Sequence, residues 1–113
     1  MKQYTSKDQT TKLIELGFPK PKFSFPIEDN EHPDYVDEDG NSYSLVESYS
    51  VGELIEFLPK EITDEYDEAT SLEFSKTEVY YTNFRAMSYY TNGTELIDAL
   101  FYMCVTLKEE GVI

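Results

Sequence analysis

Residues 72–111 read LEFSKTEVYYTNFRAMSYYTNGTELIDALFYMCVTLKEEG, and the hydrophobic period changes within them. In Leu72-Glu73-Phe74-Ser75 and Glu78-Val79-Tyr80-Tyr81 apolar and polar residues alternate, as on a half-buried strand. Phe84 to Tyr90 reads as the antiparallel partner, joined near Thr82-Asn83, and Asn92-Gly93 ends the hairpin. The period then turns helical. Thr94 is the expected cap, Glu95 and Asp98 suit the positive helix N-terminus, and Lys108 and Gly111 suit the C-terminus. Leu96, Ile97, Leu100, Phe101, Cys104 and Leu107 share one face at helical spacing, and this stripe is expected to pack on the hairpin as the main core. A β-hairpin followed by its own covering helix makes the fold class α+β.

The residues before this stretch agree. Ser6 with Gln9 forms a capping box ahead of Leu13, Ile14 and Leu16, and Gly17 closes that first helix. Pro19, Pro21 and Pro26 mark a loop over 19–34, in which Phe23, Phe25 and Ile27 alternate as a short edge strand. Tyr35-Val36-Asp37 and Ser42-Tyr43-Ser44-Leu45 flank Asp39-Gly40, a hairpin signal. Ser50 and Glu53 form a second capping box before Leu54, Ile55, Phe57 and Leu58, and Pro59 stops that helix. Thr63 to Ser71 is acidic without apolar period and reads as a loop. The expected architecture is antiparallel hairpins packed with about three helices, the C-terminal one the longest, in a single domain of 113 residues.

Charge is unevenly spread. The net charge is −14, yet residues 1–22 carry five Lys against two acids, while residues 23–75 carry sixteen acids against one Lys. So acidic a middle repels phosphate backbones and anionic membranes, so direct nucleic-acid binding and a membrane anchor are not expected. Residues 1–20 hold no apolar run of signal-peptide length, and the sequence reads as a cytoplasmic protein.

Candidate chemistry is sparse. Asp37-Glu38-Asp39-Gly40-Asn41 invites a calcium reading, but with Gly40 at the sixth position an EF-hand loop requires acids where Tyr35 and Val46 stand. His32, the only histidine, lies among Asp29, Glu31 and Asp34, too few well-spaced ligands for a strong metal site. Cys104, the only cysteine, falls on the apolar stripe and is expected to be buried and inert. Neither a Gly-x-Ser-x-Gly elbow nor a glycine-rich phosphate loop occurs. No catalytic residue, metal ligand or cofactor is therefore expected. The candidate functional surface is Tyr80, Tyr81, Tyr89 and Tyr90, since consecutive strand residues point to opposite faces and tyrosine favours protein interfaces; cross-strand packing explains the same residues without a partner.

Ser50-Val51-Gly52-Glu53-Leu54-Ile55-Glu56-Phe57-Leu58-Pro59-Lys60, the 72–90 hairpin, and Glu95 to Met103 continuing through Leu107 to Gly111 resemble small uncharacterised proteins of prophages and other mobile elements of gut bacteria. The resemblance covers about half the chain and rests on caps and core positions, so it brings a fold but no site. The expected function is a non-enzymatic accessory protein that binds another protein, with a homodimer as one form of that contact. The alternative is an acidic DNA-mimic inhibitor of a DNA-binding protein, ahead of a small metal-dependent enzyme.

Overall fold

The order of elements in the computed structural model, which describes residues 2–113, is α1 (Lys7–Glu15), β1 (Phe23–Glu28), β2 (Tyr35–Val36), β3 (Ser42–Ser48), α2 (Val51–Phe57), β4 (Glu61–Thr63), β5 (Ala69–Phe74), β6 (Glu78–Thr82), β7 (Met87–Asn92) and α3 (Leu96–Glu109). The class is α+β, and α3 is the longest helix. Two antiparallel sheets form, a three-stranded one ordered β1-β3-β2 and a four-stranded one ordered β4-β5-β6-β7. No described helix is long and apolar enough to cross a membrane.

Local chemistry sets the helix ends. Ser6 caps α1 through its side chain, which accepts from the Gln9 N–H, while the Gln9 side chain accepts from the Ser6 N–H. At the other end Gly17, at φ +97°, lets its own N–H reach the Ile14 carbonyl and that of Phe18 reach the Leu13 carbonyl. The same six-to-one bond closes α3, from Val112 to Leu107, across Gly111. Ser50 and Glu53 cap α2 as the sequence predicts. The Glu53 carboxylate also accepts the Lys22 N–H, which ties the proline-rich segment to the helix.

One core lies between the three helices and one face of the four-stranded sheet. Val79 and Tyr81 of β6 are fully buried against Ile97, Leu100, Cys104 and Leu107 of α3, and Leu13, Tyr49, Leu54 and Leu58 complete it. The sequence stripe of α3 is right at four of its six positions. Leu96 and Phe101 are only partly buried, while Ala99 and Met103 are fully buried. The helix is wedged between the sheet and α2, so it hides a broader arc than a single stripe.

The three-stranded sheet leaves this core as an arm. Strand β3 is buried only at its end, at Ser48 and the following Tyr49, whereas β1 and β2 are exposed or half-buried throughout. The chain accordingly measures 56 × 27 × 17 Å, with a radius of gyration of 16.5 Å, against about 13 Å for a globular domain of this length. On one face of the arm Phe23, Phe25, Ile27 and Val46 stand together, and Tyr4 stacks on Phe25 at 4.5 Å.

Four expectations need correction. The acidic stretch 63–71 is not a loop throughout: β4 pairs with β5 from Glu61↔Ser71 to Thr63↔Ala69. Its pattern is invisible because the outward positions face no covering layer and the main inward one is Thr70, whose hydroxyl donates to the Ile62 carbonyl at 2.7 Å. The segment 72–81 is two strands, turned at Ser75–Thr77, where the Ser75 N–H donates to the Glu78 carbonyl. Phe84 lies in the β6–β7 turn rather than in a strand. The Asn83 side chain accepts the N–H groups of Arg85 and Ala86 and holds that turn. The cap of α3 is Glu95, not Thr94: the Asp98 carboxylate accepts the Glu95 N–H at 3.2 Å.

Candidate functional site

The register of β6 against β7 pairs Tyr80 with Tyr90 and Tyr81 with Tyr89. The four tyrosines therefore divide between the two faces of the sheet. Tyr81 is fully buried, and its hydroxyl donates to the Pro59 carbonyl at 2.7 Å. Burial pushes its phenol strongly up. Tyr89 meets it edge-on at 6.4 Å, and burial together with a hydrogen bond to Glu110 raises the Tyr89 phenol as well. These two are core and core margin. Tyr80 and Tyr90 stand on the opposite face, which no helix covers, and Tyr90 is 47% exposed. Glu73 lies beside Tyr80 on the same row, and Glu78 and Asn92 form the next row outward on that face.

The end of the same sheet carries a second group, which the sequence reading missed. Phe84 is 93% exposed and Tyr66 is 74% exposed. Met87 is exposed beside them. Two local turns present them. In the β4–β5 turn the Asp64 side chain accepts the N–H groups of Tyr66 and Glu68, with Asp67 at φ +63°. In the β6–β7 turn Asn83 does the same work, and Arg85 lies over the Phe84 ring while bonding Glu68 at 2.7 Å. Between the turns is a hollow of about 310 Å³ lined by Asp64, Glu65, Tyr66, Met87 and Tyr89 among others. A tip phenylalanine inside an apparent strand gave no separate signal. The asparagine-led turn at Asn83 was the one available cue.

The sequence candidates for metal chemistry have structural duties. Asp37 accepts the N–H groups of Asp39 and Asn41 and shapes the turn at Gly40, whose φ is +84°. Asp29 accepts from the N–H groups of Glu31 and His32 and from the Ser44 hydroxyl. The backbone bond from His32 and the Ser44 hydroxyl hold the Asp29 carboxyl below its ordinary value, and the Asn41 backbone chiefly does so for Asp37. Among the described residues no three His, Cys, Asp or Glu side chains are grouped so as to hold a metal ion. Cys104 is fully buried, its thiol near the Leu54 carbonyl, and burial pushes it up to about 12. A thiol so placed is not a ready nucleophile at neutral pH. It stands in the core, and His32 in an exposed arm loop.

No family model matches the sequence, and neither a curated protein nor a solved structure is significantly similar to it.

Proposed function

We propose that this chain is a non-enzymatic accessory protein that acts by binding another protein through the uncovered face of its four-stranded sheet. The observation that carries the reading is the cross-strand pair Tyr80 and Tyr90 on a face with no helix over it. Tyrosine contributes a large rigid contact area with a polar end and is favoured at interfaces. Tyr66, Phe84 and Met87 are further exposed apolar side chains at the turn end of the same sheet. An origin among the accessory genes of mobile elements belongs to the same proposal and rests on the resemblance alone.

The test compares immobilised wild-type protein with the Tyr80→Ala/Tyr90→Ala double variant, and with Tyr102→Ala on the exposed side of α3 as control. Each is used to capture proteins from a lysate of the source cells. A protein retained by wild type and by the control is then purified and its affinity measured. The double variant should bind it about tenfold or more weakly, a loss of about 1.4 kcal/mol or more. Equal affinity for all three would refute the reading.

The DNA-mimic alternative is favoured by a different observation. The arm formed by residues 23–48 carries eight carboxylates and no Lys or Arg, and it projects from the core. Mimicry makes partner binding steeply salt-dependent and sensitive to charge removal on the arm, and insensitive to Tyr80 and Tyr90.

A further inference from the structure

Sheet edges are ready templates for another strand unless something blocks them. Three of the four edges here are blocked or short. In β1 the Asp29 N–H donates to the Ser42 carbonyl at 3.0 Å, which sets the ladder so that Pro26 faces the open side. Pro26 has no donor, and its carbonyl already accepts the Tyr4 hydroxyl at 2.9 Å. Strand β2 has two residues, and β4 has three, one of them Glu61.

Strand β7 differs. It is Met87-Ser88-Tyr89-Tyr90-Thr91-Asn92, with no proline and no charged residue, and among the described residues it pairs with β6 alone. The Gly93 N–H donates to the Thr77 carbonyl at 3.0 Å, which fixes the phase of the ladder. Tyr89 and Thr91 therefore bond inward to β6, and the N–H and C=O groups of Tyr90 and Asn92 face the open side. A strand added there must place the residue opposite Tyr89 on the inner face of the sheet. That face is where Tyr89, Tyr66, Asp64 and Glu65 line the hollow. The charges nearby are acidic, with Glu110 close enough to Tyr89 to raise its phenol, and Arg85 is already held by Glu68.

The geometry points to β7 as a strand-addition site for an extended segment of the partner protein, one whose lysine or arginine enters the Asp64–Glu65 hollow. The backbone groups of Tyr90 and Asn92 supply the main-chain bonds, and the hollow supplies the choice of side chain. A second copy of this chain is the poorer occupant, since its own β7 brings no cation and its net charge of −14 repels. The inference rests on the protein-binding reading and names the chemistry of the partner.

The test uses the intact protein and two synthetic extended peptides of alternating threonine and valine, one with a central lysine and one with a central glutamate. Backbone amide shifts and hydrogen exchange are followed residue by residue. The lysine peptide should slow exchange at the Tyr90 and Asn92 amides and bind about tenfold more tightly than the glutamate peptide. N-methylation of its edge-facing amides should abolish binding, and Glu65→Gln should narrow the preference for lysine. The proposal is overturned by unchanged Tyr90 and Asn92 amides at millimolar peptide, or by equal binding of the two peptides. Protection of these amides that grows with protein concentration alone would overturn it in favour of a second copy. If capture through Tyr80 and Tyr90 stands while these amides stay unprotected, the edge has failed and the sheet face has not; if no protein is captured at all, the broader reading has failed.

Discussion

Replacing Leu100 by alanine tests whether α3 on the hairpin is the main core. Leu100 is fully buried in the middle of α3, in a cluster that includes Val79, Tyr81 and Leu54. Removing its three carbons beyond Cβ costs about 2.4 kcal/mol in transfer free energy at about 0.8 kcal/mol per carbon. The cavity left behind adds to this, because α3 is held on both sides by α2 and the sheet and has little room to collapse. The total should be about 2–5 kcal/mol. An unfolding entropy of about 2.1 cal/mol/K per residue makes 1 kcal/mol equivalent to about 4 °C for a chain this long. The melting temperature should therefore fall by about 8–20 °C. The assay is paired urea and thermal unfolding of wild type, Leu100→Ala and Tyr102→Ala, the last being on the same helix but 47% exposed. A Leu100→Ala loss under about 1 kcal/mol, or a Tyr102→Ala loss as large, would refute the placement of the core.

Gly93 makes a second, sharper test: a Cβ there would sit 2.6 Å from the Asp98 Cβ and 3.0 Å from the Ala99 nitrogen, so Gly93→Ala should cost about 1–3 kcal/mol in denaturant melts by forcing α3 off the end of β7. Cys104 should resist thiol reagents in the folded protein at pH 8 and react fully once unfolded, and rapid native labelling would contradict its burial. Its thiol, pushed up to about 12 from an ordinary 9.0, holds its proton more tightly when folded, as does the Tyr49 phenol, also raised to about 12 from 10.0. The stability they contribute is complete below about pH 9 and is lost as pH rises toward 12, which alkaline melts would show. Moderate sodium chloride should raise the melting temperature at pH 7, because among the described residues only the Lys2–Asp98 and Arg85–Glu68 pairs form and the rest of a −14 chain repels itself; a falling melting temperature would mean that internal pairing dominates.

The parts of the fold that were legible in the sequence are those whose signal is local. Ser6 with Gln9, Ser50 with Glu53, and the turn at Gly40 are each set by bonds within a few residues, and each forms as read. Strand β4 and the start of β5, Ala69 to Ser71, were hidden because they are short and polar, with Glu61 and Ser71 outward and Thr70 inward, so no apolar alternation marks them. The start of α3 was misplaced because its cap depends on distant partners. The Lys2 N–H bonds the Glu95 carboxylate, and Gln9 bonds Asp98 at 2.8 Å. Within the acidic arm, hydrogen-bond donors hold the Asp29 and Asp37 carboxyls below their ordinary value, an effect that composition alone does not reveal. The four tyrosines could be found from sequence, but their division between faces could not. It depends on the Tyr80↔Tyr90 register and on which face α3 covers. Phe84 and Tyr66 reach the surface through turns whose geometry is set by Asn83 and Asp64, and the exposure of a turn aromatic leaves no periodic trace.

The most direct test of a binding role for the four-stranded sheet is residue-resolved amide hydrogen exchange on the protein alone and with its captured partner. The account predicts slowed exchange concentrated at the open-edge amides of Tyr90 and Asn92, with the arm over residues 23–48 unchanged. Protection confined to that acidic arm, with β7 exchanging as in the isolated protein, would contradict it.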